Sequence, residues 1–431
     1  MMLFVLFILM ILLIFLGMDI GFAMGIAALT YIFLSQFMGF PIKFTVLPVQ
    51  MVDGVNTFSL VAVPLFILAG EIMNHGGITT RLVRFASSLV GGLRGGLGHT
   101  SIVVNIIMAG MSGSAVADCA ATGSILIPAM KEEKYGPGFA GAVVASASTI
   151  GPIIPPSIPL VIIGSIAGVS VGRLFFGGVL PGLMMGGALM VYVAMYAKKV
   201  GLPKKRMASF EEFYSSCRGA VLPMGMPIVI LGGILSGMAT PTEAAVLGVL
   251  YSLFITFFVY RSIKRKDLFD IFVNAGVASM AVLFTVSTGV LFGWVATAEQ
   301  MGPRLLSFLL SISTDRFAIL LMINILLLVL GMIMESIPVI LLLTPILFPM
   351  IGKLGIDPVH FGVMMCLNLM IGLLTPPIGL NLFISSTIAK VSVDEIVKNV
   401  WPMIIYLTVV LLVIMASPPL VTWLPNLLMG R

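Results

Sequence analysis

Two short segments of this sequence, each inside a run of apolar residues, have the composition of an ion-binding backbone. Residues 151–157 read GPIIPPS and residues 374–381 read LTPPIGLN. Proline lacks the amide that a helix needs and clashes with the preceding turn, so both segments are expected to unwind. The freed carbonyl groups need partners in hydrocarbon, and with the hydroxyl of Ser157 or Thr375 they suit a hard cation such as sodium. A plain proline kink, repaired by a neighbouring helix, is the alternative, but two such segments favour an ion site.

Each proline segment is preceded by a stretch that is too short and too interrupted to cross a membrane. Residues 109–124 are rich in glycine, alanine and serine, and residues 331–338 are apolar apart from a Glu-Ser pair. Small residues allow backbones to approach closely, so each stretch is expected to fold as a helical hairpin whose tip meets an unwound segment. For 109–124 the alternative is a tight seam between two helices.

Acidic residues within apolar segments are candidates for function, because placing one in a membrane costs roughly 2.5–3.5 kcal/mol on insertion scales. Asp118 and Glu335 lie in the two hairpin stretches. Asp118 is expected either to bind a cation or to cap a hairpin helix. Glu335 is expected either to accept bonds from amides at a helix start or to carry a coupling ion. Glu71 is a weaker candidate, and Glu243 fits a helix cap with Pro241 in the first turn.

The elements that must position these residues are membrane-spanning helices. Of the 431 residues, 59% are hydrophobic and 9% are charged, whereas about 25% are charged in an ordinary soluble domain. Runs such as 319–334 are apolar on every side, which excludes the alternating pattern of a β-barrel. The length allows about a dozen crossings at roughly 20 residues each. An all-α polytopic membrane protein is therefore predicted, and an enzyme is not expected.

The basic excess, 23 Lys and Arg against 17 Asp and Glu, mostly sets the orientation of a polytopic protein and does not indicate a nucleic-acid partner. Basic loops at 198–206 and 261–266 are separated by two predicted spans, so both can be cytoplasmic. The three cysteines have no metal-type spacing and are expected to pack. Four stretches mix charged and apolar residues at helical spacing and are expected to lie in the membrane interface: 42–55, 78–90, 266–275 and 303–312.

The sequence repeats internally at an offset of 221 residues. ILIP at 125–128 matches ILFP at 346–349 (349 − 128 = 221), and the two proline pairs match at the same offset. Duplicated halves with broken helices are typical of secondary transporters, commonly with inverted topology. Inversion requires an odd number of crossings per repeat, whereas the apolar runs give six in each half. We expect two inverted structural repeats, 1–216 and 217–431, with re-entrant hairpins at about 109–130 and 331–352 and unwound helices at 151–157 and 374–381.

Motifs in both halves resemble the large membrane subunit of the tripartite ATP-independent periplasmic (TRAP) transporters. The resemblance covers essentially the whole chain and is carried by AGMSGSAVAD at 109–118, GPIIPPS at 151–157, GMATPTEA at 237–244 and LTPPIGLN at 374–381. It implies an elevator-type, sodium-coupled importer in a bacterial inner membrane, in which a transport domain of hairpins and unwound helices moves against a scaffold. It also implies two partners: a small four-helix membrane subunit, and a soluble periplasmic binding protein that delivers an acidic solute.

In that family sodium ions bind where each hairpin tip meets an unwound helix. Carried onto this chain, the resemblance implies one site made by Ser112, Gly113, Ser114, Gly151 and Pro152. It implies a second site made by Gly331, Glu335, Thr375 and Pro376. Ser157 and Asn381 are the candidates for solute contact, and Asp118 is the candidate coupling acid. Family solutes include C4-dicarboxylates and sialic acid, and the residues around Asp118 favour the sialic acid branch.

Three other functions stay open at this point. One is a proton-coupled or stand-alone anion carrier of related fold. Another is a channel with a re-entrant filter, but channels usually take a filter from several subunits around an axis, whereas here each half of one chain supplies a break. A membrane-embedded enzyme is disfavoured, because the sequence has neither clustered aspartate motifs nor a His-Glu zinc pattern.

Overall fold

The computed structural model describes residues 2–39, 41–202 and 204–430, and these residues are mostly α-helical. In the described part of the chain, strand geometry is limited to one isolated bridge between Arg94 and Lys204. A 3₁₀ turn at Phe58–Val61 leads into α4, and a π-helical turn at Phe254–Val259 extends α12. The α-helices are α1 (Met2–Phe15), α2 (Ile20–Ser35), α3 (Val46–Val55), α4 (Ala62–His75), α5 (Ile78–Val90), α6 (Gly96–Ser112), α7 (Ala115–Glu132), α8 (Pro137–Ser148), α9 (Ile158–Ala167), α10 (Val171–Val200), α11 (Phe210–Leu235), α12 (Pro241–Leu253), α13 (Arg265–Ala298), α14 (Met301–Ile312), α15 (Arg316–Ile333), α16 (Ser336–Lys353), α17 (Pro358–Gly372), α18 (Leu380–Ala389), α19 (Val393–Ala416) and α20 (Pro419–Met429).

Eight helical segments in the described residues are at least 18 residues long and apolar enough to cross a membrane. This confirms the predicted all-α polytopic membrane protein. The number is below the predicted dozen, because several apolar runs are broken into helices of 10–17 residues. The eight segments are Phe58–His75, Val171–Val200, Phe210–Leu235, Pro241–Val259, Arg265–Ala298, Arg316–Ile333, Ser336–Lys353 and Val393–Ala416.

Local capping chemistry explains where one of these spans starts. At the start of α12, the Thr240 hydroxyl accepts a hydrogen bond from the Glu243 amide at 3.3 Å, and Glu243 Oε2 accepts one from the Thr240 amide at 2.7 Å. Pro241 occupies the first turn, where its missing amide costs no hydrogen bond. The predicted capping role of Glu243 is confirmed.

Three of the four predicted interfacial stretches form separate helices, namely α3, α5 and α14. The fourth prediction is wrong. Residues 266–275 are the first turns of α13, which runs for 34 residues without interruption. The charges at its start do not end the apolar helix that follows, because no proline or glycine pair separates them and the helix continues through Gly276.

The helical conformation is interrupted at both proline pairs, as predicted. The first interruption lies between the end of α8 at Ser148 and the start of α9 at Ile158; the second lies between Gly372 and Leu380. Both proline pairs contain a cis peptide bond. Asn381, expected within the second unwound segment, already belongs to the first turn of α18.

Each interruption follows two helices that are joined by a two-residue turn. Residues 113–114 connect α6 to α7, and residues 334–335 connect α15 to α16. We call these two turns tip 1 and tip 2. The starts of α7 and α16 are 221 residues apart (336 − 115), and so are the starts of α8 and α17 (358 − 137), which matches the sequence offset. An inverted relation between the halves stays a prediction.

The helices that follow the interruptions pack on the opposite half of the chain. Helix α18, from the second half, packs against α7 and α8, and α9, from the first half, packs against α16 and α17. Helix α8 is almost entirely buried between these neighbours. The two halves are therefore interlocked around the proline segments.

Candidate functional site

Tip 1 lies directly against the first interrupted helix. Gly113 ends α6 with a left-handed backbone (φ +60°). A side-chain carbon at this position would lie 2.7 Å from the carbonyl oxygen of Pro156 and 3.4 Å from the Cα of Ser157. Only a residue without Cβ allows this approach at a positive φ. The structure thus brings the predicted tip residues together with the predicted unwound segment.

Asp118 is fully buried behind tip 1. The Ser112 hydroxyl donates to Asp118 Oδ1 at 2.5 Å, and Asp118 Oδ2 has no hydrogen-bond partner among the described residues. That oxygen occupies the space into which a side chain at Gly151 would point. The N-cap of α7 is Ser114, whose hydroxyl accepts from the Ala117 amide at 3.4 Å. The capping alternative for Asp118 is therefore wrong, and a buried carboxylate oxygen faces the break.

The carbonyl of Pro152, freed by the break, is satisfied by protein groups. It accepts a short hydrogen bond from the Ser157 hydroxyl and a second one from the thiol of Cys366 at 3.5 Å. The Ser157 oxygen also accepts from the Leu160 amide at 3.2 Å and so caps α9. This arrangement is what the kink alternative predicts for that one carbonyl, and the role of Pro152 in binding sodium stays a prediction.

The end of α15, directly before tip 2, lies against the second interrupted helix. A side-chain carbon on Gly372 would lie 2.6 Å from the carbonyl carbon of Gly331, and the Ile378 amide donates to the Met332 carbonyl at 3.3 Å. The Thr375 hydroxyl is buried and donates to the Ile371 carbonyl at 2.8 Å. Gly331 and the segment that contains Thr375 and Pro376 are thus adjacent, as the resemblance implied.

Glu335 occupies the N-cap position of α16, but within the described residues its side chain accepts no capping hydrogen bond. The expectation that it binds amides at a helix start is therefore wrong. Its side chain is exposed and lines the same cavity as tip 1. An ion-related role for Glu335 stays a prediction.

One cavity lies between the two tips and helix α4. Tip 1 and the adjoining end of α6 contribute Ser112 to Ser114, tip 2 and the start of α16 contribute Glu335 and Ser336, and the first break contributes Pro152. Helix α4 contributes Gly70, Glu71 and Asn74. Sequence reasoning missed Gly70 and Asn74 and ranked Glu71 low. A signal was available, because polar residues at positions 71 and 74 share one face of an otherwise apolar helix.

The two predicted solute-contact residues do not line this cavity in the described structure. Asn381 is fully buried, and its amide donates to the Ser148 hydroxyl at 2.9 Å. The side-chain oxygen Oδ1 of Asn381 has no hydrogen-bond partner in the described part of the chain. Ser157 is likewise buried and held by its own loop. The structure brings these residues close to the breaks but not to the cavity, so solute contact stays a prediction.

The sequence matches a family model along nearly its whole length. The family is described as the tripartite ATP-independent periplasmic transporter, DctM component, and the match covers residues 7–420.

Curated relatives cover nearly all of the chain. It is 41% identical over 418 residues to the sialic acid TRAP transporter large permease protein SiaM of Vibrio cholerae, covering 97% of each protein. It is 39% identical to the 2,3-diketo-L-gulonate TRAP transporter large permease protein YiaN of Escherichia coli, covering 86% of this chain and 87% of that protein. It is 33% identical to the C4-dicarboxylate TRAP transporter large permease protein DctM of Rhodobacter capsulatus, covering 98% and 99%.

A solved structure supports the fold independently. The YdaH transporter of Alcanivorax borkumensis aligns with a TM-score of 0.65 at 12% identity, covering 85% of this chain and 86% of that one. At this identity the likeness concerns the fold alone.

These matches confirm the resemblance found in the motifs. The relatives are named as permeases and not as enzymes, which confirms that prediction. The family and the eight candidate spans confirm a multi-pass protein of the bacterial inner membrane. The chain therefore belongs to the DctM family, the large permease components of tripartite ATP-independent periplasmic transporters.

Proposed function

We propose that this permease imports an acidic organic solute together with sodium ions, by an elevator-type movement. One observation carries the proposal: tip 1 contacts the first broken helix, the end of α15 before tip 2 contacts the second, and both tips line a single cavity. A solute in that cavity and ions bound beneath the tips would then contact the same tip residues. If both ligands favour the closed tips, each raises the affinity for the other, which is the thermodynamic requirement for coupling.

The charge of the cavity supports coupling to a cation. Glu71 and Glu335 line it, and no basic residue does so among those described. Glu71 Oε2 lies 3.4 Å from His75 Nδ1 on the same helix. A carboxylate solute would therefore meet like charge unless cations are bound nearby. Sodium ions at the predicted sites would offset this repulsion and the charge of Asp118.

The names of three relatives support an acidic solute that carries a carboxylate. Their names cite sialic acid, 2,3-diketo-L-gulonate and a C4-dicarboxylate, and all three compounds carry a carboxylate. Of these solutes we favour sialic acid, because the protein named for it shares the highest sequence identity of these three.

In the proposed mechanism, the interlocked unit of α6–α9 and α15–α18 moves as the transport domain. Across the halves, α18 packs on α7 and α8, and α9 packs on α16 and α17. The remaining helices, including α4, form the scaffold. The sequence repeats 1–216 and 217–431 are proposed to be inverted copies.

We also propose two protein partners. Membership in a family of tripartite transporters supports both a small four-helix membrane subunit and a soluble periplasmic binding protein that delivers the solute.

The test is reconstitution of the permease in liposomes with a small subunit and a candidate binding protein. Uptake of sialic acid and of succinate is compared under inward sodium, inward proton and no gradient. We expect uptake of one acid, driven by sodium and dependent on the binding protein. Uptake driven by protons or without a binding protein would support the alternative carriers, and single-channel currents would support a channel.

A pair of threonine variants tests the second sodium site. Thr375→Val removes a hydroxyl at the break, whereas Thr387→Val removes one on the exposed face of α18. Both hydroxyls donate to the carbonyl four residues earlier, at 2.8 and 2.9 Å, so the loss of that bond is common to both variants. We expect Thr375→Val alone to raise the sodium concentration for half-maximal uptake, by about tenfold for a loss of about 1.4 kcal/mol. An equal shift in both variants would refute this assignment.

A further inference from the structure

A second groove lies between α5, α7 and α11 and shares no lining residue with the cavity between the tips. Its charged lining residues are Arg81, Arg84, Lys205, Arg206, Glu211 and Glu212. Four cations thus face two carboxylates. We call this feature the basic groove; its volume is about 880 Å³.

Two arginines of the basic groove are free to bind an anion. Arg81 and Arg84 lie three residues apart on α5 and therefore project from neighbouring positions of one helix face. Within the described residues, neither forms an ion pair. The Arg81 guanidinium lies 4.0 Å from the ring centroid of Tyr260, which holds it in place. A pair of guanidinium groups presents the planar donors that match phosphate oxygens.

The other two cations are already partly compensated. Lys205 forms an ion pair with Glu133, and Arg206 lies 3.5 Å from Glu212. These two residues add positive potential to the rim of the groove, but their charged groups are already paired with carboxylates. Glu211 opposes them from the start of α11. The arginines of α5 therefore carry the anion-binding capacity of the groove.

The remaining lining of the basic groove has two parts: serines of α5 and α11 on one side and an apolar wall on the other. Leu97 of α6 and Ile125, Leu126 and Ala129 of α7 contribute side chains to its wall. A soluble anion such as inorganic phosphate can use the arginines and serines but gains nothing from the apolar wall. An amphiphile with a phosphate at one end and a hydrocarbon chain at the other fits both parts.

The groove lies at the end of the bundle where basic residues collect. Arg94 forms a backbone bridge with Lys204, Lys205 pairs with Glu133, and Lys131 Nζ donates to the Ala389 carbonyl at 2.9 Å. Loops from several parts of the chain therefore share one basic face. The positive-inside rule assigns this face to the cytoplasm, where anionic headgroups attract basic pockets between helices.

We propose that the basic groove binds an anionic phospholipid, with its phosphate between Arg81 and Arg84 and its acyl chain along α7. Helix α7 belongs to the hairpin of tip 1, whereas α5 and α11 lie outside the hairpins and broken helices. The lipid would thus connect the two groups of helices.

The experiment measures lipid retention on the purified permease by native mass spectrometry. The protein is exchanged into detergent that contains phosphatidylglycerol or phosphatidylcholine, or into lipid-free detergent with glycerol 3-phosphate. The variants are the double substitution Arg81→Gln/Arg84→Gln and the single substitution Ser87→Trp, which fills the groove without removing a charge. Arg265→Gln, an exposed arginine at the start of α13 outside the groove, is the matched control.

We expect the unmodified chain and Arg265→Gln to retain phosphatidylglycerol. Both groove variants should retain at least fivefold less of this lipid than the unmodified chain. Equal retention of phosphatidylcholine, binding of glycerol 3-phosphate without the lipid, or unchanged retention in Ser87→Trp would overturn the proposal. A monodisperse elution profile shows that each variant is folded. The measurement needs no transport, so its failure is independent of the proposed function.

Discussion

Ser112 and Asp118 are joined by a hydrogen bond of 2.5 Å that spans tip 1 from the last residue of α6 to the first turn of α7. It is the only hydrogen bond that the Asp118 carboxylate receives from a side chain among the described residues. A buried acid is thus held at the break by a single hydroxyl.

The Ser112→Ala variant should destabilise the permease. Without the hydroxyl, both oxygens of the buried carboxylate lack a side-chain donor, and such a loss costs about 1–3 kcal/mol. Thermal unfolding in detergent measures the effect. Ser124→Ala is the control, because its hydroxyl is on an exposed position of the same hairpin and bonds only to its own helix. Equal melting temperatures for the two variants would contradict the prediction.

Asp118→Asn should change the sodium dependence of uptake more than the stability. The amide keeps the shape of the side chain, and its oxygen can still accept a hydrogen bond from the Ser112 hydroxyl. It lacks the negative charge that would attract a cation. We expect the sodium concentration for half-maximal uptake to rise about tenfold, equivalent to about 1.4 kcal/mol. Asp394→Asn, in the exposed first turn of α19, serves as control. Unaltered sodium dependence would remove Asp118 from the ion site.

Gly113→Ala should impair uptake far more than Gly168→Ala. Both glycines have a left-handed backbone, with φ of +60° and +67°, so alanine strains each by about 1–2 kcal/mol. A side chain at Gly113 would also collide with the Pro156 carbonyl at 2.7 Å, whereas none of the described atoms lies within 4 Å of one at Gly168. The difference in uptake rate between the variants isolates the contact between tip 1 and the break. Similar rates would mean that the contact does not matter for transport.

Gly372→Ala and Gly352→Ala should shift stability in opposite directions. A Cβ on Gly372 would lie 2.6 Å from the backbone of Gly331, so the end of α15 must separate from the broken helix. At Gly352, within α16, no described atom lies within 4 Å of the added carbon, and alanine should stabilise the helix by about 0.5–1 kcal/mol. Melting temperatures in detergent provide the comparison. A lower value for Gly352→Ala would show that helix propensity does not govern that position.

Several features of this protein could be predicted from local residue chemistry. The spans follow from apolar composition, the breaks follow from the proline pairs, and the start of α12 follows from the Thr240 and Glu243 cap. Each depends on the backbone and on neighbours only a few residues away, which a sequence displays directly.

Other features depend on contacts between distant segments, and only the folded chain shows them. Asn381 binds Ser148 across 233 positions of sequence, and Glu335 shares a cavity with Ser112. The continuous helix α13 was mispredicted because charges near a helix start resemble an interfacial helix until its packing is known.

The amino-acid sequence thus accounts for the family, the membrane-embedded helices and the two places where they unwind. Packing of α9 and α18 onto opposite halves decided which atoms meet those breaks, which carbonyl is already satisfied and which carboxylate oxygen is not. The reason is physical: helix interruption is a property of consecutive residues, whereas the satisfaction of a buried polar atom depends on every element packed around it.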